Sequence, residues 1–128
     1  MNFPEDCFYT KTHEWARDEG DGTVVCGITD HAQESLGDIV YVELPIEGDA
    51  VEAGAAFGVV DSVKASSDIY AAVTGSVVAI NDELESAPEL VNESPYGEGW
   101  LVKIQLGDGG QLDELMDAEA YKSFLENS

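Results

Sequence analysis

Residues 57–75 read FGVVDSVKASSDIYAAVTG, a run that carries a single lysine, Lys64, between two strand-like segments. Ahead of the lysine, residues 57, 59, 61 and 63 alternate with residues 58, 60, 62 and 64. A period of two residues is typical of a strand. Residues 67–70 then give a partner run after a very short connection. The pattern predicts a hairpin with Lys64 at its tip, where a side chain is sterically open and has no packing role.

Lys64 is also isolated from other cations along the chain. The 85 residues between Arg17 and Lys103 contain only this one basic residue, whereas roughly ten are expected at ordinary composition. One interpretation is a solubilising cation, or half of a surface ion pair worth well under about 1 kcal/mol. The other is an acylation site, because a primary amine on a flexible stem is accessible to a ligase and acylation removes its charge.

The sequence around the hairpin is rich in short strands. Further β-like runs lie at residues 23–27, 39–44, 75–80 and 100–106, and turn residues separate them. From residue 38 to residue 106 the pattern is all β. Many short strands with frequent turns predict a sandwich or a flattened barrel.

Additional elements are predicted on the N-terminal side. Residues 8–10 and 14–16 are short extended pieces, and residues 18–22 have the composition of a turn. Residues 23–27 are the predicted return strand of this hairpin. A helix of about two turns follows, with Asp30 as its N-cap and Gln33 as the capping partner. Gly37 lies where a glycine that ends a helix belongs.

At the C-terminal end the period changes from that of strands to that of a helix. Leu112, Leu115 and Met116 suggest one or two helical turns. Asp117 is placed to cap a terminal helix. The apolar face of that helix consists of Tyr121, Phe124 and Leu125.

The charge of the chain excludes several classes of partner. Its 128 residues include 5 Lys and Arg against 27 Asp and Glu, a formal net charge of −22. Nucleic acid is disfavoured because its phosphates must be neutralised by cations, and anionic membranes are disfavoured for the same reason. No apolar run approaches the roughly 18 residues of a spanning helix. The acidity suits either a high-salt habitat or an ordinary solvated face.

Compartment is indicated by the N-terminus and the cysteines. The first six residues are acidic and have no apolar stretch, unlike a signal or transit peptide. Cys7 and Cys26 form no CxxC pair, which favours two free thiols in a reduced compartment. Neither these cysteines nor His13 and His31 have the spacing of a metal site. We expect a cytoplasmic protein, or one of the mitochondrial matrix only if the chain is a processed organellar form.

Several ordered motifs resemble those of one family. Residues 57–75 resemble the lipoyl-lysine motif of glycine cleavage system H proteins, and residues 12–15, Thr-His-Glu-Trp, match a block near the family's start. Residues 27–38, 90–92 and 95–100 match further blocks. The resemblance covers nearly the whole chain, from about Phe8 to Phe124.

The resemblance implies a fold and a cofactor. The fold is mostly β, a lipoyl/biotinyl-type flattened hybrid barrel of two small antiparallel sheets. An N-terminal hairpin, a short helix and a C-terminal helix are the family's additions. The expected organisation is a single lipoyl-carrier domain over residues 1–128, with its core at about 23–106 and a C-terminal helical segment at about 111–127. Lipoate is expected in amide linkage to Lys64.

The family's role is that of a carrier, not a catalyst. The resemblance implies a shuttle that takes the aminomethyl group of glycine from glycine decarboxylase, the P protein, to the aminomethyltransferase, the T protein. Its dithiol is then reoxidised by dihydrolipoamide dehydrogenase, the L protein. A lipoate ligase or lipoyltransferase is the fourth expected partner, and the carrier is expected to be a monomer.

The family also has a cleft beside the arm, lined by two carboxylates and a small hydroxyl. Glu14, Asp68 and Thr12 occupy the matching positions here. In a chain this acidic, a solvated surface is the simplest interpretation of any single carboxylate. The resemblance nevertheless implies that these three residues line the cleft for the loaded arm.

Alternatives remain open at this stage. An H-like relay that hands lipoate to other enzymes would retain almost every motif. A biotin carrier shares the fold class but favours methionine on both sides of the lysine, where this chain has Val63 and Ala65. A lipoyl domain of a 2-oxoacid dehydrogenase would lack the His-Glu-Trp block and the terminal helix. A plain interaction module with unmodified Lys64 is the option from a different class.

Overall fold

The computed structural model describes residues 3–107, 112 and 115–127 of the chain. Antiparallel β-structure dominates this part, with short helices between and after the strands. The strands are β1 (Phe8–Tyr9), β2 (Glu14–Asp18), β3 (Thr23–Ile28), β4 (Ile39–Glu43), β5 (Ala50–Val51), β6 (Ala56–Ser62), β7 (Ser66–Tyr70), β8 (Gly75–Ile80) and β9 (Val102–Leu106). The α-helices are α1 (Asp30–Leu36), α2 (Leu90–Glu93) and α3 (Ala118–Glu126), and Asp82–Glu85 forms one turn of 3-10 helix.

The strands form two antiparallel sheets. One has six strands in the order β1-β2-β3-β9-β8-β5, and the other has three in the order β4-β6-β7. Every residue of β3 is buried, because this strand lies in the middle of the larger sheet. The predicted mostly-β fold with two antiparallel sheets is confirmed, although the sheets are unequal in size.

Helix α1 begins one residue earlier than the sequence predicted. Its N-cap is Thr29, whose hydroxyl accepts a hydrogen bond from the Ala32 amide at 3.2 Å. Asp30, the predicted cap, is instead the first residue of the helix and accepts from the Gln33 side chain at 2.6 Å. The predicted end is correct, since Gly37 has a φ of 83° and its amide donates to the Gln33 carbonyl.

The stretch between β8 and β9 corrects the all-β prediction for residues 38–106. It contains the 3-10 turn, capped by Asn81, and the single turn of α2. Helices this short have no visible apolar period, because they contain only four residues each. Periodicity therefore could not reveal them.

The C-terminal helix is capped as predicted, with the Asp117 carboxylate accepting from the Ala120 amide at 2.8 Å. The helical turns predicted from Leu112, Leu115 and Met116 are wrong at Met116. This residue forms an antiparallel bridge with Tyr9 and exchanges hydrogen bonds of 2.7 and 2.9 Å with it. Residues 111, 113 and 114 of the same prediction lie outside the described residues.

Two apolar clusters fix the elements around the Lys64 hairpin. The larger one lies between the sheets and includes Val24, Val60 and Ile104. The smaller one joins the N-terminal hairpin to α3 through Trp15 and Tyr121, both completely buried. Within the described ranges, no helix is long and apolar enough to cross a membrane.

Candidate functional site

Lys64 lies in the tight turn between β6 and β7, as the sequence predicted. The Ser62 amide donates to the Ala65 carbonyl at 2.7 Å and closes the turn. The Ser62 hydroxyl also accepts from the Ala65 amide at 3.0 Å and donates to the Ala65 carbonyl at 3.0 Å. Ser62 thus braces the turn from within, which the sequence analysis did not anticipate. The lysine itself is exposed, and in the described part of the chain it forms no ion pair.

The turn is anchored to the end of α1. The Val63 amide donates to the Asp38 carbonyl at 3.0 Å. The Asn92 side chain supports the same corner, because it accepts from the Ile39 amide and donates to the Gly37 carbonyl, both at 2.8 Å. The backbone of the turn that carries Lys64 is therefore fixed, although the lysine itself is exposed.

Glu14, the first residue of β2, is only 3% exposed. Its Oε1 accepts from the hydroxyl of Thr10 at 2.7 Å and from that of Thr12. Its Oε2 accepts from the backbone amide of Tyr70 at 3.3 Å. Burial raises the pKa of Glu14 above its ordinary value, while these hydrogen bonds lower it in part.

The Tyr70 contact brings Glu14 to the open edge of β7. This strand pairs with β6 along its other edge, so Glu14 occupies the side that no strand covers. Asp68 lies two residues before Tyr70 and its side chain therefore projects from the same face of β7. Asp68 is exposed. No hydrogen bond joins Asp68 to Glu14 in the region described.

The three predicted cleft residues therefore differ in burial and in their contacts. Thr12 and Glu14 are in direct contact, whereas Asp68 is an exposed residue of β7, the strand that follows Lys64. Thr10 was missed by the sequence analysis. Its hydroxyl was visible in the sequence, but residues 10–14 form a turn that is closed by hydrogen bonds from the Thr10 amide to the Glu14 carbonyl and from the His13 amide to the Thr10 carbonyl. The period of a strand therefore could not have indicated that Thr10 contacts Glu14.

A second set of side chains holds the loop before Glu14. His13 has a φ of 71°, in the left-handed region. Its Nδ1 lies 2.8 Å from the Tyr121 hydroxyl, which is 2.8 Å from the Thr29 hydroxyl. Tyr121 belongs to α3, so the C-terminal helix contacts the loop that carries Thr12 and Glu14. Nothing in the local sequence around His13 indicated this distant partner.

Comparisons with known proteins match nearly the whole chain. The sequence model of the family described as glycine cleavage H-protein matches residues 7–128. A glycine cleavage system H protein of Thermus thermophilus is 60% identical over 127 residues, which cover 99% of this chain and 98% of that protein. The protein of the same name from Vibrio parahaemolyticus is 60% identical over 118 residues, covering 92% of this chain and 94% of that one.

A solved structure agrees with the fold. The crystal structure of a glycine cleavage system H protein from Mycobacterium marinum superposes with a TM-score of 0.88 at 37% sequence identity. The match covers 97% of this chain and 99% of that one. The resemblance inferred from residues 12–15, 27–38 and 57–75 is confirmed. The chain belongs to the glycine cleavage H-protein family.

Proposed function

We propose that this protein is the lipoyl carrier of a glycine cleavage system and that lipoate is attached to Nζ of Lys64. The observation that carries the proposal is the presentation of Lys64. It is an exposed primary amine on a turn that Ser62 and Asp38 hold in place. A modifying enzyme can reach such an amine without unfolding the protein, and the turn keeps its shape once the charge is removed.

The residues of the site fit an amide-linked lipoyl group. When bound, lipoate supplies thiol–disulfide exchange on a long tether. The protein fixes the backbone of the turn to which the tether is attached, and the exposed lysine side chain leaves the rest of the tether free to move. A tether replaces free diffusion among several enzymes by an effective concentration that its length and the docking geometry set.

Glu14 and Thr12 support a second part of the proposal, a cleft for an ammonium-bearing cargo. A carboxylate has about four acceptor positions, and the hydrogen bonds from Thr10, Thr12 and Tyr70 fill three of them. Oε2 therefore retains one position that can accept from the amine of a carried aminomethyl group. Asp68, on the same face of β7 as Tyr70, adds a second negative charge. Burial of Glu14 keeps water away from that contact.

The proposed partners are the P, T and L proteins of glycine cleavage and a lipoate ligase or lipoyltransferase. The carrier acts as a monomer in the cytoplasm and catalyses no step itself. Its net charge of −22 favours partner surfaces that are electropositive. Buried free thiols at Cys7 and Cys26 suit a reducing compartment, and the relatives from Thermus and Vibrio are bacterial.

Intact mass spectrometry of the protein purified from its native source tests the proposal directly. A lipoyl adduct that maps to Lys64 is expected. A biotinyl adduct, or no adduct, would contradict it. Reconstitution with the P, T and L proteins then separates shuttle from relay: a shuttle supports glycine-dependent carbon transfer to tetrahydrofolate, whereas a relay only donates its lipoyl group to other acceptors.

A further inference from the structure

The loop from Thr10 to Glu14 is held in a conformation that its sequence does not favour by itself. His13 has a φ of 71°, which is uncommon for any residue except glycine, although His is among the more tolerant. The Thr10 amide donates to the Glu14 carbonyl at 2.9 Å, and the His13 amide donates to the Thr10 carbonyl at 3.2 Å. These bonds fold the loop so that the hydroxyls of Thr10 and Thr12 both point at the Glu14 carboxylate.

His13 is bonded to the rest of the protein through both its backbone and its side chain. Its carbonyl accepts from the Thr29 amide at 3.0 Å. Its Nδ1 contacts the Tyr121 hydroxyl at 2.8 Å, and that hydroxyl contacts the Thr29 hydroxyl at 2.8 Å. The result is a hydrogen-bond chain, His13–Tyr121–Thr29, that joins the loop, the N-cap of α1 and helix α3.

Within this hydrogen-bond chain, Tyr121 is the residue whose side chain is held most firmly by packing. It is completely buried, and its ring stacks on that of Tyr9 with centroids 4.7 Å apart and an interplanar angle of 6°. Phe3 packs edge-on against it at 5.4 Å. Since the ring is fixed on both sides, its hydroxyl is held at one place. Burial and the neighbouring His31 lower the pKa of His13, so a neutral imidazole can accept from this hydroxyl through Nδ1.

We propose that His13 and Tyr121 are positioning residues for the cleft, and that α3 sets the geometry of Glu14 through them. This inference rests on the proposed role of Glu14 as the acceptor for the amine of the cargo. Without the Tyr121 hydroxyl, the imidazole loses the hydrogen bond that fixes its Nδ1, and only its backbone hydrogen bonds and its ring contacts, including those with His31 and Phe124, oppose relaxation of His13 from its left-handed conformation. Thr12 and Glu14 flank His13 in sequence, so relaxation would turn the Thr12 hydroxyl away and admit water to the carboxylate.

The first measurement uses the unlipoylated protein and needs no partner enzyme. The pKa of the Glu14 carboxyl is followed by 13C NMR in the wild type, Tyr121→Phe, His13→Ala and His13→Asn. Burial is the main reason why the pKa of Glu14 is raised, so solvation of the loop should return the pKa toward 4.5, its ordinary value. We expect this fall in Tyr121→Phe and in His13→Ala, because Ala has no imidazole and disfavours a positive φ. His13→Asn should retain the raised pKa, because Asn tolerates a positive φ and places an amide oxygen where Nδ1 was.

Tyr96→Phe is the matched control. It deletes another buried tyrosine hydroxyl, one that accepts from the Asp30 amide at 2.9 Å, but it leaves the loop untouched. A loss of stability alone would affect both Tyr→Phe variants alike, whereas positioning affects only Tyr121→Phe. An unchanged Glu14 pKa in Tyr121→Phe and His13→Ala, or equal falls in Tyr121→Phe and Tyr96→Phe, would overturn the inference.

The second measurement follows ammonia release from the isolated carrier after loading. Tyr121→Phe and His13→Ala should speed the release about twofold to tenfold, the factor that one ordinary hydrogen bond represents, and His13→Asn should remain near the wild type. Glu14→Ala is run beside them. If Glu14→Ala releases ammonia at the wild-type rate, the proposed role of Glu14 fails. If Glu14→Ala is faster and Tyr121→Phe is not, only the positioning role fails.

Discussion

The side-chain stem of Lys64 lies over the α-carbon of Gly37. A β-carbon at Gly37 would be 3.6 Å from Cε of Lys64 and 4.0 Å from Cδ. The φ of 83° at Gly37 is the left-handed conformation that ends α1 and favours glycine. Both distances are those of an ordinary van der Waals contact, so glycine is required here by its φ and not by the lysine. The stem of Lys64 therefore lies beside the end of α1.

Lys64→Arg should fold normally and lose its modification. The residue is exposed, and the turn is held by Ser62 and not by the lysine side chain. A guanidinium is a poor acyl acceptor, so intact mass after co-expression with a lipoate ligase should show no adduct. Lys11→Arg, at another exposed lysine, is the control and should retain the full adduct. A lipoyl adduct on Lys64→Arg, or glycine-dependent carbon transfer by it, would contradict the assignment of the site.

Asn92→Ala should destabilise the protein by about 2–3 kcal/mol, because it leaves buried backbone groups without partners. The lost bonds are those with the Ile39 amide and the Gly37 carbonyl, both at 2.8 Å, and one to the Gln33 side chain at 3.0 Å. Urea unfolding measures the difference. Asn127→Ala is the control: it removes a 2.9 Å bond to the Ser123 carbonyl at the exposed end of α3, and a change within about 0.5 kcal/mol is expected there. Equal losses in both variants would show that Asn92 has no special structural role.

Much of the β-structure could be predicted, because short runs rich in β-branched residues are separated by turn residues along the chain. The start of α1 could not be placed to the residue. Thr29 and Asp30 are both residue types that cap helices. The extended backbone of Thr29, with φ −75° and ψ 166°, makes it the cap, and Asp30 is already helical. Which of the two residues becomes the cap depends on the direction of the backbone where β3 ends, and no local sequence pattern predicts that direction.

The site was only partly accessible from sequence for a similar reason. Lys64 was singled out by its isolation from other cations, which left a plain surface cation and an acylation site both open. Its modification, like the roles of Glu14, Thr12 and Asp68, was inferred from family motifs. The role of Tyr121 was hidden, because 108 positions separate it from His13. Such a contact is decided by the packing of α3 on the N-terminal hairpin. The difference between a buried Glu14 and an exposed Asp68 is likewise a tertiary property.

Docking to the P protein should weaken as salt is added. With a net charge of −22, attraction to an electropositive surface acts over distances that salt screens, since the Debye length is about 10 Å at 0.1 M. Isothermal titration calorimetry at about 0.05, 0.1 and 0.2 M sodium chloride measures the change. Circular dichroism at each concentration checks that the carrier remains folded. An affinity that stays constant across this range would argue against electrostatic docking.

Glu14→Gln should change the pH dependence of stability in a defined direction. Burial raises the pKa of Glu14 above 4.5, its ordinary value. At a pH between 4.5, the pKa in the unfolded chain, and the raised pKa in the native state, the native Glu14 therefore holds a proton that the unfolded chain has released. The native state then binds more protons, and the free energy of unfolding falls as pH rises through this window. Glutamine does not titrate, so Glu14→Gln lacks that decline.

The measurement is the difference in unfolding free energy between the wild type and Glu14→Gln at a series of pH values. The free energy of unfolding of the wild type should fall relative to that of Glu14→Gln as pH rises above 4.5. The remaining carboxyl groups are common to both proteins, and their contributions cancel to first order. A flat difference would mean that burial of Glu14 does not raise its pKa.

Loss of the Glu14 carboxylate should shorten the life of the loaded carrier more than loss of Asp68. The amine of an aminomethyl group is cationic near neutral pH, and a hydrogen bond from it to a carboxylate contributes roughly 1.5–3 kcal/mol. Glu14→Ala should therefore speed spontaneous ammonia release about tenfold to a hundredfold. Asp68 is exposed, and an exposed pair contributes at most about 1 kcal/mol, so Asp68→Ala should speed release less than about sixfold.

The same variants should leave the empty carrier nearly unchanged, because the oxidised arm has no cation for either carboxylate to hold. Lipoylation, followed by intact mass, and reoxidation by the L protein are the internal controls. Glu52→Ala, at an exposed acidic residue, corrects for the general loss of one negative charge. Faster ammonia release in Glu52→Ala as in Glu14→Ala would assign the effect to net charge. Release at the wild-type rate in both Glu14→Ala and Asp68→Ala would mean that the cleft does not shelter the amine, because neither the buried nor the exposed carboxylate contributes to holding it.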